Sequence, residues 1–138
     1  MPTPLILVVE DRRTEQYVYM QLLKKFEFDV QVVSSAESAL DAIKVADYSA
    51  ILMDITLPGM NGIACTRQIR EFQTLQGKYT PIIAVTAKID KATRKECLES
   101  GMDGYLTKPF SPEQLRLMLA PFIEDSHSPP ASKPALRE

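Results

Sequence analysis

The central part of the chain reads Ala50-Ile51-Leu52-Met53-Asp54-Ile55-Thr56-Leu57-Pro58-Gly59. Four apolar residues lead without interruption into one carboxylate, and a Leu-Pro-Gly turn sequence follows shortly afterwards. An unbroken apolar run of this length, bounded by turn residues, predicts a strand that is buried on both faces of a sheet. Asp54 then lies where that strand ends. Because ligands of open α/β sheets bind beyond the carboxyl ends of the strands, this position predicts an accessible and reactive carboxylate.

Similar apolar runs occur on both sides of this stretch, with helical segments between them. Apolar or β-branched runs predict five strands, at residues 5–9, 29–33, 50–54, 81–85 and 104–107. Helical spacing of apolar residues predicts five helices, at residues 13–26, 34–46, 61–72, 90–100 and from 111 onward. Strands that alternate with helices indicate a parallel sheet covered on both faces. The predicted fold is therefore α/β and doubly wound (flavodoxin-like), with a five-stranded sheet of order 2-1-3-4-5 flanked by five helices.

Local signals predict the faces and the ends of these helices. Val18 is expected on the buried face of the first helix, and Ser34 with Glu37 predicts a capping box that begins the second. Residues 73–80 are polar and contain a glycine, so they are expected to form a loop. Gly101 is expected in the left-handed position that ends the fourth helix.

The composition is that of a single globular domain. The chain has 138 residues and a formal net charge of −2, so there is no basic surplus for binding nucleic acid. No apolar run approaches the ~20 residues of a membrane span, and the amino terminus lacks the features of a signal peptide. We therefore expect no nucleic-acid partner and no membrane contact by this segment.

The positions of the two cysteines and the composition near the carboxyl terminus lead to two further predictions. Cys65 and Cys97 are far apart and have no histidine nearby in sequence, which argues against a zinc site or a redox pair. Two buried thiols in a reducing, cytoplasmic environment are expected instead. Residues 1–124 are predicted to form the domain. Residues 125–138 are rich in Ser and Pro and are predicted to be a disordered tail or linker.

A sheet of order 2-1-3-4-5 brings polar residues from four strand ends together. These residues are Glu10, Asp11, Asp54, Thr86 and, after the last strand, Lys108. Three carboxylates in one pocket repel one another, which points to a hard divalent cation between them. With Mg²⁺ the formal charges of three acids, one lysine and the metal add to zero (−3 + 1 + 2). Such a pocket suits a phosphoryl group, with Asp54 as the carboxylate nucleophile.

At this point the sequence resembles the receiver domains of two-component response regulators, most closely those attached to hybrid sensor histidine kinases. The resemblance covers residues 5–123. It is carried by Glu10-Asp11, Asp54, Leu57-Pro58-Gly59-Met60-Asn61-Gly62, Thr86-Ala87 and Gly104-Tyr105-Leu106-Thr107-Lys108-Pro109-Phe110.

The resemblance implies a phosphorelay function and a role for each matching residue. Asp54 would accept a phosphoryl group from a phosphohistidine on a histidine kinase or a histidine phosphotransfer protein. Mg²⁺ would be held by Glu10, Asp11, Asp54 and the Thr56 backbone carbonyl. Thr86 and Lys108 would contact the phosphoryl oxygens, and Lys108-Pro109 would be a cis peptide. Tyr105 would turn inward with Thr86 when the site is loaded, so that the surface of the fourth helix, fifth strand and fifth helix binds a downstream protein partner.

Three positions differ from the common pattern of that family. Glu10 replaces the more frequent Asp and is expected to reach the metal through water. Arg12 adds a cation near the pocket, where a small polar residue is common. Glu27 stands where a glycine is frequent; a left-handed backbone there would cost ~1 kcal/mol.

Two other classes of function remain open from the residues alone. The first is an aspartyl-phosphate phosphatase, which normally needs a second acid two residues after the nucleophile; that position is Thr56 here. The second is a receiver-like interaction module that works without phosphorylation. Such modules usually lack the acid pair, the acceptor or the lysine, and this chain has all of them. A phosphoacceptor domain that is not an enzyme in the usual sense, but assists its own phosphorylation and dephosphorylation, is the predicted function.

Overall fold

Five strands alternate with five helices in the computed structural model, which describes residues 3–87 and 90–124. The elements are β1 (Leu5–Val9), α1 (Arg13–Lys25), β2 (Asp29–Val33), α2 (Ala36–Val45), β3 (Ala50–Asp54), α3 (Gly62–Gln76), β4 (Ile82–Thr86), α4 (Lys91–Ser100), β5 (Gly104–Thr107) and α5 (Pro112–Glu124). The predicted tail, residues 125–138, lies outside the described residues.

The strands form one parallel sheet of order β2-β1-β3-β4-β5, which confirms the predicted fold. The central strand β3 is buried along its whole length, as its unbroken apolar run predicts. Because all five strands point the same way, their carboxyl ends meet at one edge of the sheet. This edge is called the site edge below.

Two apolar layers cover the sheet. Helices α2, α3 and α4 pack on one face and α1 and α5 on the other. Both cysteines are free and buried in the first layer, Cys65 on α3 and Cys97 on α4. Burial raises the pKa of Cys65 to about 12 and that of Cys97 to about 11, with smaller contributions from nearby glutamates. Both thiols are therefore buried, as predicted, and stay protonated at neutral pH.

The face of α1 that meets the core differs from the prediction. Val18 is 50% exposed, whereas Tyr19 and Leu23 are buried. The ring of Tyr19 packs against Phe110, with the centroids 5.7 Å apart, so Tyr19 takes the inward position and the adjacent Val18 faces outward.

The ends of α2 and α3 also differ from the prediction. Ser35, not Ser34, caps α2: its hydroxyl accepts a hydrogen bond from Ser38 N–H at 3.0 Å. Helix α3 continues to Gln76, through a segment for which the sequence predicts a loop. The buried Gln73 explains the extra turn, because its side-chain amide exchanges two hydrogen bonds with Thr80.

Two residues adopt the left-handed backbone that the sequence suggests for them. Gly101 ends α4 at φ 107°, as predicted. Glu27 follows α1 at φ 69°, so this L-residue carries backbone strain. Each residue comes shortly before a strand, and both therefore lie at the edge of the sheet opposite the site edge.

A buried ion pair holds that opposite edge of the sheet. Asp103 is fully buried and accepts hydrogen bonds from Arg70 Nη2 at 2.8 Å and from Ile82 N–H at 3.0 Å. The guanidinium also donates to the carbonyls of Gly101 and Thr80, at 2.9 and 2.7 Å. These contacts join α3 to the starts of β4 and β5, and so fix the two strands that lead to Thr86 and Lys108.

No helix in the described ranges is both long and apolar enough to cross a membrane.

Candidate functional site

Asp54 lies at the carboxyl end of β3 and is 4% exposed. Its Oδ1 atom accepts hydrogen bonds from the backbone N–H of Thr56 at 2.9 Å and from the Thr56 hydroxyl at 3.0 Å. Its Oδ2 atom lies 3.4 Å from Lys108 Nζ. The two oxygens of this carboxylate therefore have different partners, and the side chain is held in one orientation.

A glycine allows the chain after β3 to fold back tightly. A Cβ atom on Gly62 would lie only 2.4 Å from the Asp54 carbonyl oxygen and 2.8 Å from Ile55 Cα, so no larger residue fits. Gly62 N–H donates to the Ile55 carbonyl at 3.3 Å, and Asn61 caps α3 by accepting from Ala64 N–H. The Leu-Pro-Gly sequence thus leads into a helix that is packed directly against the backbone of Asp54.

Glu10 follows β1 and is 1% exposed. Its Oε2 accepts a hydrogen bond from Arg12 N–H at 3.1 Å and its Oε1 one from Lys108 Nζ at 3.2 Å. Burial, with a further contribution from the charge of Asp54, raises the pKa of Glu10 to about 7, although the contacts with Arg12 and Lys108 oppose this shift. Glu10 can therefore exchange a proton near neutral pH.

Lys108 forms ion pairs with the acids of the site. It follows β5, and its N–H donates to the Thr86 carbonyl at 2.8 Å. The Lys108-Pro109 peptide is cis, as the family resemblance implies. Burial lowers the pKa of Lys108, but the hydrogen bond to Glu15 and the charges of Asp54 and Glu10 outweigh burial and leave the pKa raised. Lys108 is therefore a cation at physiological pH.

The structure adds Glu15, a residue that the sequence analysis does not assign to the site. Its Oε1 atom lies 2.6 Å from Lys108 Nζ, the shortest contact that this ammonium makes with the site carboxylates. The sequence offers only a weak signal for Glu15, namely an acid in the first turn of α1. Its partner, however, lies at the far end of the chain, and only the fold brings the two together.

Thr86 and Tyr105 occupy the last two strands. Thr86 ends β4, is 1% exposed and lies opposite Thr107. Tyr105 lies opposite Ala84, two residues before the end of β5, and is 2% exposed. The ring is therefore turned inward in this structure, with the guanidinium of Arg94 5.5 Å from its centroid. A rotation of Tyr105 on loading stays a prediction.

The acids at the site edge have the geometry of a metal site. Glu10, Asp11 and Asp54 each offer a carboxylate oxygen, and these oxygens lie within 4.8 Å of one another. Carboxylate oxygens are the ligands that Mg²⁺ prefers in proteins. Asp11 is the most accessible of the three, while Glu10 and Asp54 already bond to Lys108. The donor set thus fits a hard divalent cation beside a carboxylate that could act as a nucleophile.

A cleft of about 410 Å³ opens beside Lys108, between the start of α1 and the segment that leads into α5. Among the residues that the structure describes, its lining is mostly apolar and includes Glu15, Val18, Tyr19, Ala87, Lys108, Pro109 and Phe110. The outward-facing Val18 lies in this lining, and the adjacent Tyr17 is also exposed. A partner that occupied this cleft would come within reach of the site acids.

Comparison with known proteins agrees with this geometry. The family described as the response regulator receiver domain matches residues 6–120. A hybrid signal transduction histidine kinase of Dictyostelium discoideum is 37% identical over 132 residues, which cover 89% of this chain and 8% of that kinase. Histidine kinase 2 of Arabidopsis thaliana is 35% identical over 138 residues, which cover 86% of this chain and 12% of that kinase. The chain thus spans only a small part of the curated relatives it matches.

Two solved structures resemble this chain closely in fold. The receiver domain of sensor histidine kinase PA1611 from Pseudomonas aeruginosa, with a magnesium ion coordinated in its active-site cleft, has a TM-score of 0.81 and 36% identity. The match covers 89% of this chain and 99% of that domain. The receiver domain of Ssk1 from Saccharomyces cerevisiae, crystallised with the histidine phosphotransfer protein Ypd1, has a TM-score of 0.83 and 26% identity. That match covers 90% of this chain and 91% of the other.

Proposed function

Because the chain belongs to the response regulator receiver domain family, we propose that Asp54 accepts a phosphoryl group from a phosphohistidine of a partner protein. The observation that carries the proposal is the placement of Asp54, a buried, oriented carboxylate that faces Lys108 at 3.4 Å and lies beside two further acids. An Asp54 oxygen would attack phosphorus, forming an O–P bond as the P–N bond breaks. The electron pair of the P–N bond leaves with the imidazole, which then takes a proton.

The residues of the chain have separate tasks in this transfer. Thr56 holds Oδ1 of Asp54 through two hydrogen bonds and so orients the acceptor. The ammonium of Lys108 would bond a phosphoryl oxygen, and the Thr86 hydroxyl would donate to another. These donors compensate the negative charge that the phosphoryl group brings into a pocket that is already acidic.

Mg²⁺ is part of the proposal. Glu10, Asp11, Asp54 and the Thr56 carbonyl would hold it, and it would neutralise phosphoryl oxygens. Support comes from the three clustered carboxylates and from the magnesium ion in the PA1611 neighbour.

The proposed phosphodonor is a histidine kinase or a histidine phosphotransfer protein that docks over the cleft beside Lys108. The apolar lining of the cleft and the exposed Tyr17 and Val18 on α1 would suit an apolar protein surface. The Ssk1 neighbour was crystallised with such a phosphotransfer protein, which supports this class of partner. A cytoplasmic location belongs to the same proposal and is supported by the two free thiols.

The test is labelling with acetyl phosphate and Mg²⁺, followed by intact-mass measurement. We expect the native chain to gain one phosphoryl group, and Asp54→Asn to gain none while keeping its circular dichroism spectrum. Asp41→Asn, the same change at an exposed position on α2, should label like the native chain.

The same experiment separates the alternatives. A phosphatase would release phosphate through many turnovers, and a phosphorylation-independent module would not be labelled. Stoichiometric labelling of Asp54→Asn at another residue would overturn the acceptor assignment.

A further inference from the structure

Glu15 makes the shortest contact to the site lysine, although the proposed phosphoryl transfer gives it no task. The distances from Lys108 Nζ are 2.6 Å to Glu15, 3.2 Å to Glu10 and 3.4 Å to Asp54. The ammonium therefore lies closer to α1 than to the acceptor carboxylate. Glu15 also faces Arg12, whose Nε atom is 3.7 Å from its other carboxylate oxygen.

The ammonium has as many carboxylate partners as it has protons to donate. A lysine carries three N–H donors, and three different carboxylates surround this one. Phosphoryl transfer to Asp54 turns one of these three carboxylates into the acyl phosphate, so the phosphoryl group then shares the ammonium with Glu10 and Glu15. Of these two competitors Glu15 lies closer to Lys108 Nζ, at 2.6 Å against 3.2 Å for Glu10.

Glu15 is also the carboxylate that can release the ammonium at the lowest cost. The Glu10 side chain is almost fully buried, so a lost partner there would leave an uncompensated buried group. The Glu15 side chain is 29% exposed and keeps Arg12 as a neighbour, so water and a guanidinium can replace the ammonium. The exchange of partners at Lys108 is therefore expected at Glu15.

Building on the proposed function, we propose that Glu15 is a positioning residue that holds Lys108 away from the phosphoryl group on Asp54. The ion pair weakens the binding of a phosphoryl group at the site, because it draws the Lys108 ammonium toward α1 and away from Asp54. Glu15 thus sets how readily the receiver is loaded, through Lys108 and without contacting the phosphoryl group itself.

A purely structural role for Glu15 predicts a different outcome and has a matched control. Glu15 lies in the first turn of α1, where an acid favours the helix and pairs with Arg12. Glu113 lies in the first turn of α5, where it pairs with Arg116 at 2.6 Å and its side chain is 61% exposed. Glu113→Gln removes the same charge from the same kind of helix position.

The experiment measures the affinity of the full chain for fluoroberyllate, an acyl-phosphate mimic, in Mg²⁺ by amide NMR titration. We expect Glu15→Gln to bind it roughly five- to tenfold more tightly than the native chain, because a charge-assisted competitor is lost. Glu113→Gln should stay within about twofold of native. A double-mutant cycle tests whether Glu15 acts through the lysine. If it does, Glu15→Gln should change the affinity by less than about twofold in a variant that already carries Lys108→Met.

The outcomes distinguish this inference from the function on which it rests. If the native chain binds fluoroberyllate and Glu15→Gln binds it equally or more weakly, Glu15 does not hold the lysine back. The inference is also wrong if Glu113→Gln gives an equal gain, or if the gain persists without Lys108. If the native chain binds no fluoroberyllate at all, the phosphoacceptor function itself is overturned, and the role of Glu15 with it.

Discussion

At the scale of single residues, the carboxyl group of Glu10 links the site to pH. Burial and the charge of Asp54 raise its pKa to about 7, well above the ordinary value of 4.5. The folded protein therefore binds this proton more tightly than the unfolded chain does. The resulting contribution to stability is complete below about pH 4.5 and is lost as the pH rises through about 7.

We predict that Glu10→Gln removes this pH dependence in metal-free protein. In EDTA, raising the pH from 4.5 to 8 should lower the free energy of unfolding of the native chain relative to that of the variant. The expected change in this difference is on the order of 2–3 kcal/mol. Urea unfolding at both pH values measures the difference. Glu71→Gln, at an exposed position of α3, serves as the control and should follow the native curve. If the free energies of unfolding of Glu10→Gln and the native chain differ by the same amount at both pH values, Glu10 is not the source of the pH dependence.

The acids and the lysine of the site are predictable from the sequence, whereas the residues that tune them are not. Asp54, Glu10 and Lys108 can be found because each lies at or just after the end of a strand, and strand ends meet in a parallel sheet. Glu15 cannot be placed opposite Lys108 from sequence, because that contact depends on how α1 packs beside β5. The outward turn of Val18 has the same kind of cause, since Tyr19 takes the inner position against Phe110.

At the scale of elements, the sequence predicts structure best where one residue type decides the backbone. The apolar runs predict all five strands, and Gly101 ends α4 as its type suggests. The last turn of α3 is not predictable in this way, because the pairing of Gln73 with Thr80 stabilises a polar segment that local propensity leaves open. Tertiary hydrogen bonds outweigh local preference there.

Helix α4 is the element that we expect to respond to the site. Of its ten residues, all of which the structure describes, only Cys97 and Ser100 are buried, so most of this helix faces outward. Thr86 ends the strand that precedes it, and Tyr105 lies on the neighbouring strand β5. A shift of Thr86 toward a phosphoryl group would move the start of this helix relative to the sheet. Residues 88–89 of the intervening loop, part of the predicted switch, lie outside the described residues.

We predict that Thr86→Ala uncouples α4 from the site. The variant should still be labelled by acetyl phosphate, but fluoroberyllate should no longer shift the amide resonances of residues 90–106. The lost coupling is expected to be about 1–3 kcal/mol, the usual range for two linked sites. Thr74→Ala, at an exposed threonine on α3, is the control. Equal amide shifts in Thr86→Ala and the native chain would show that Thr86 does not couple α4 to the site.

At the scale of the whole molecule, the charges at the site edge oppose folding in the absence of metal. Glu10, Asp11 and Asp54 with Lys108 carry a formal −3 + 1 = −2, and Glu15 adds a further negative charge. A cation that binds only the folded protein stabilises it by mass action, by ~2.7 kcal/mol at a hundred times its dissociation constant. Metal content and melting temperature should therefore be linked.

We predict that Mg²⁺ raises the melting temperature of the native chain and that EDTA reverses the effect. Asp11→Ala should reduce this stabilisation more than Glu10→Ala, because Asp11 is accessible while Glu10 is engaged by Lys108 and Arg12 N–H. Differential scanning calorimetry over a series of Mg²⁺ concentrations provides the measurement, with Ca²⁺ and K⁺ as comparisons. A melting temperature that Mg²⁺ leaves unchanged would argue against the metal site.

The two buried thiols can report how often parts of this protein open. Cys97 belongs to α4, whereas Cys65 belongs to α3 on the same face of the sheet. An alkylating reagent reaches a buried sulfur only when the surrounding structure opens, so each alkylation rate measures the frequency of that opening. The ratio of the two rates distinguishes the detachment of one helix from the unfolding of the domain. The native sequence, which contains no tryptophan, thus carries its own kinetic probes.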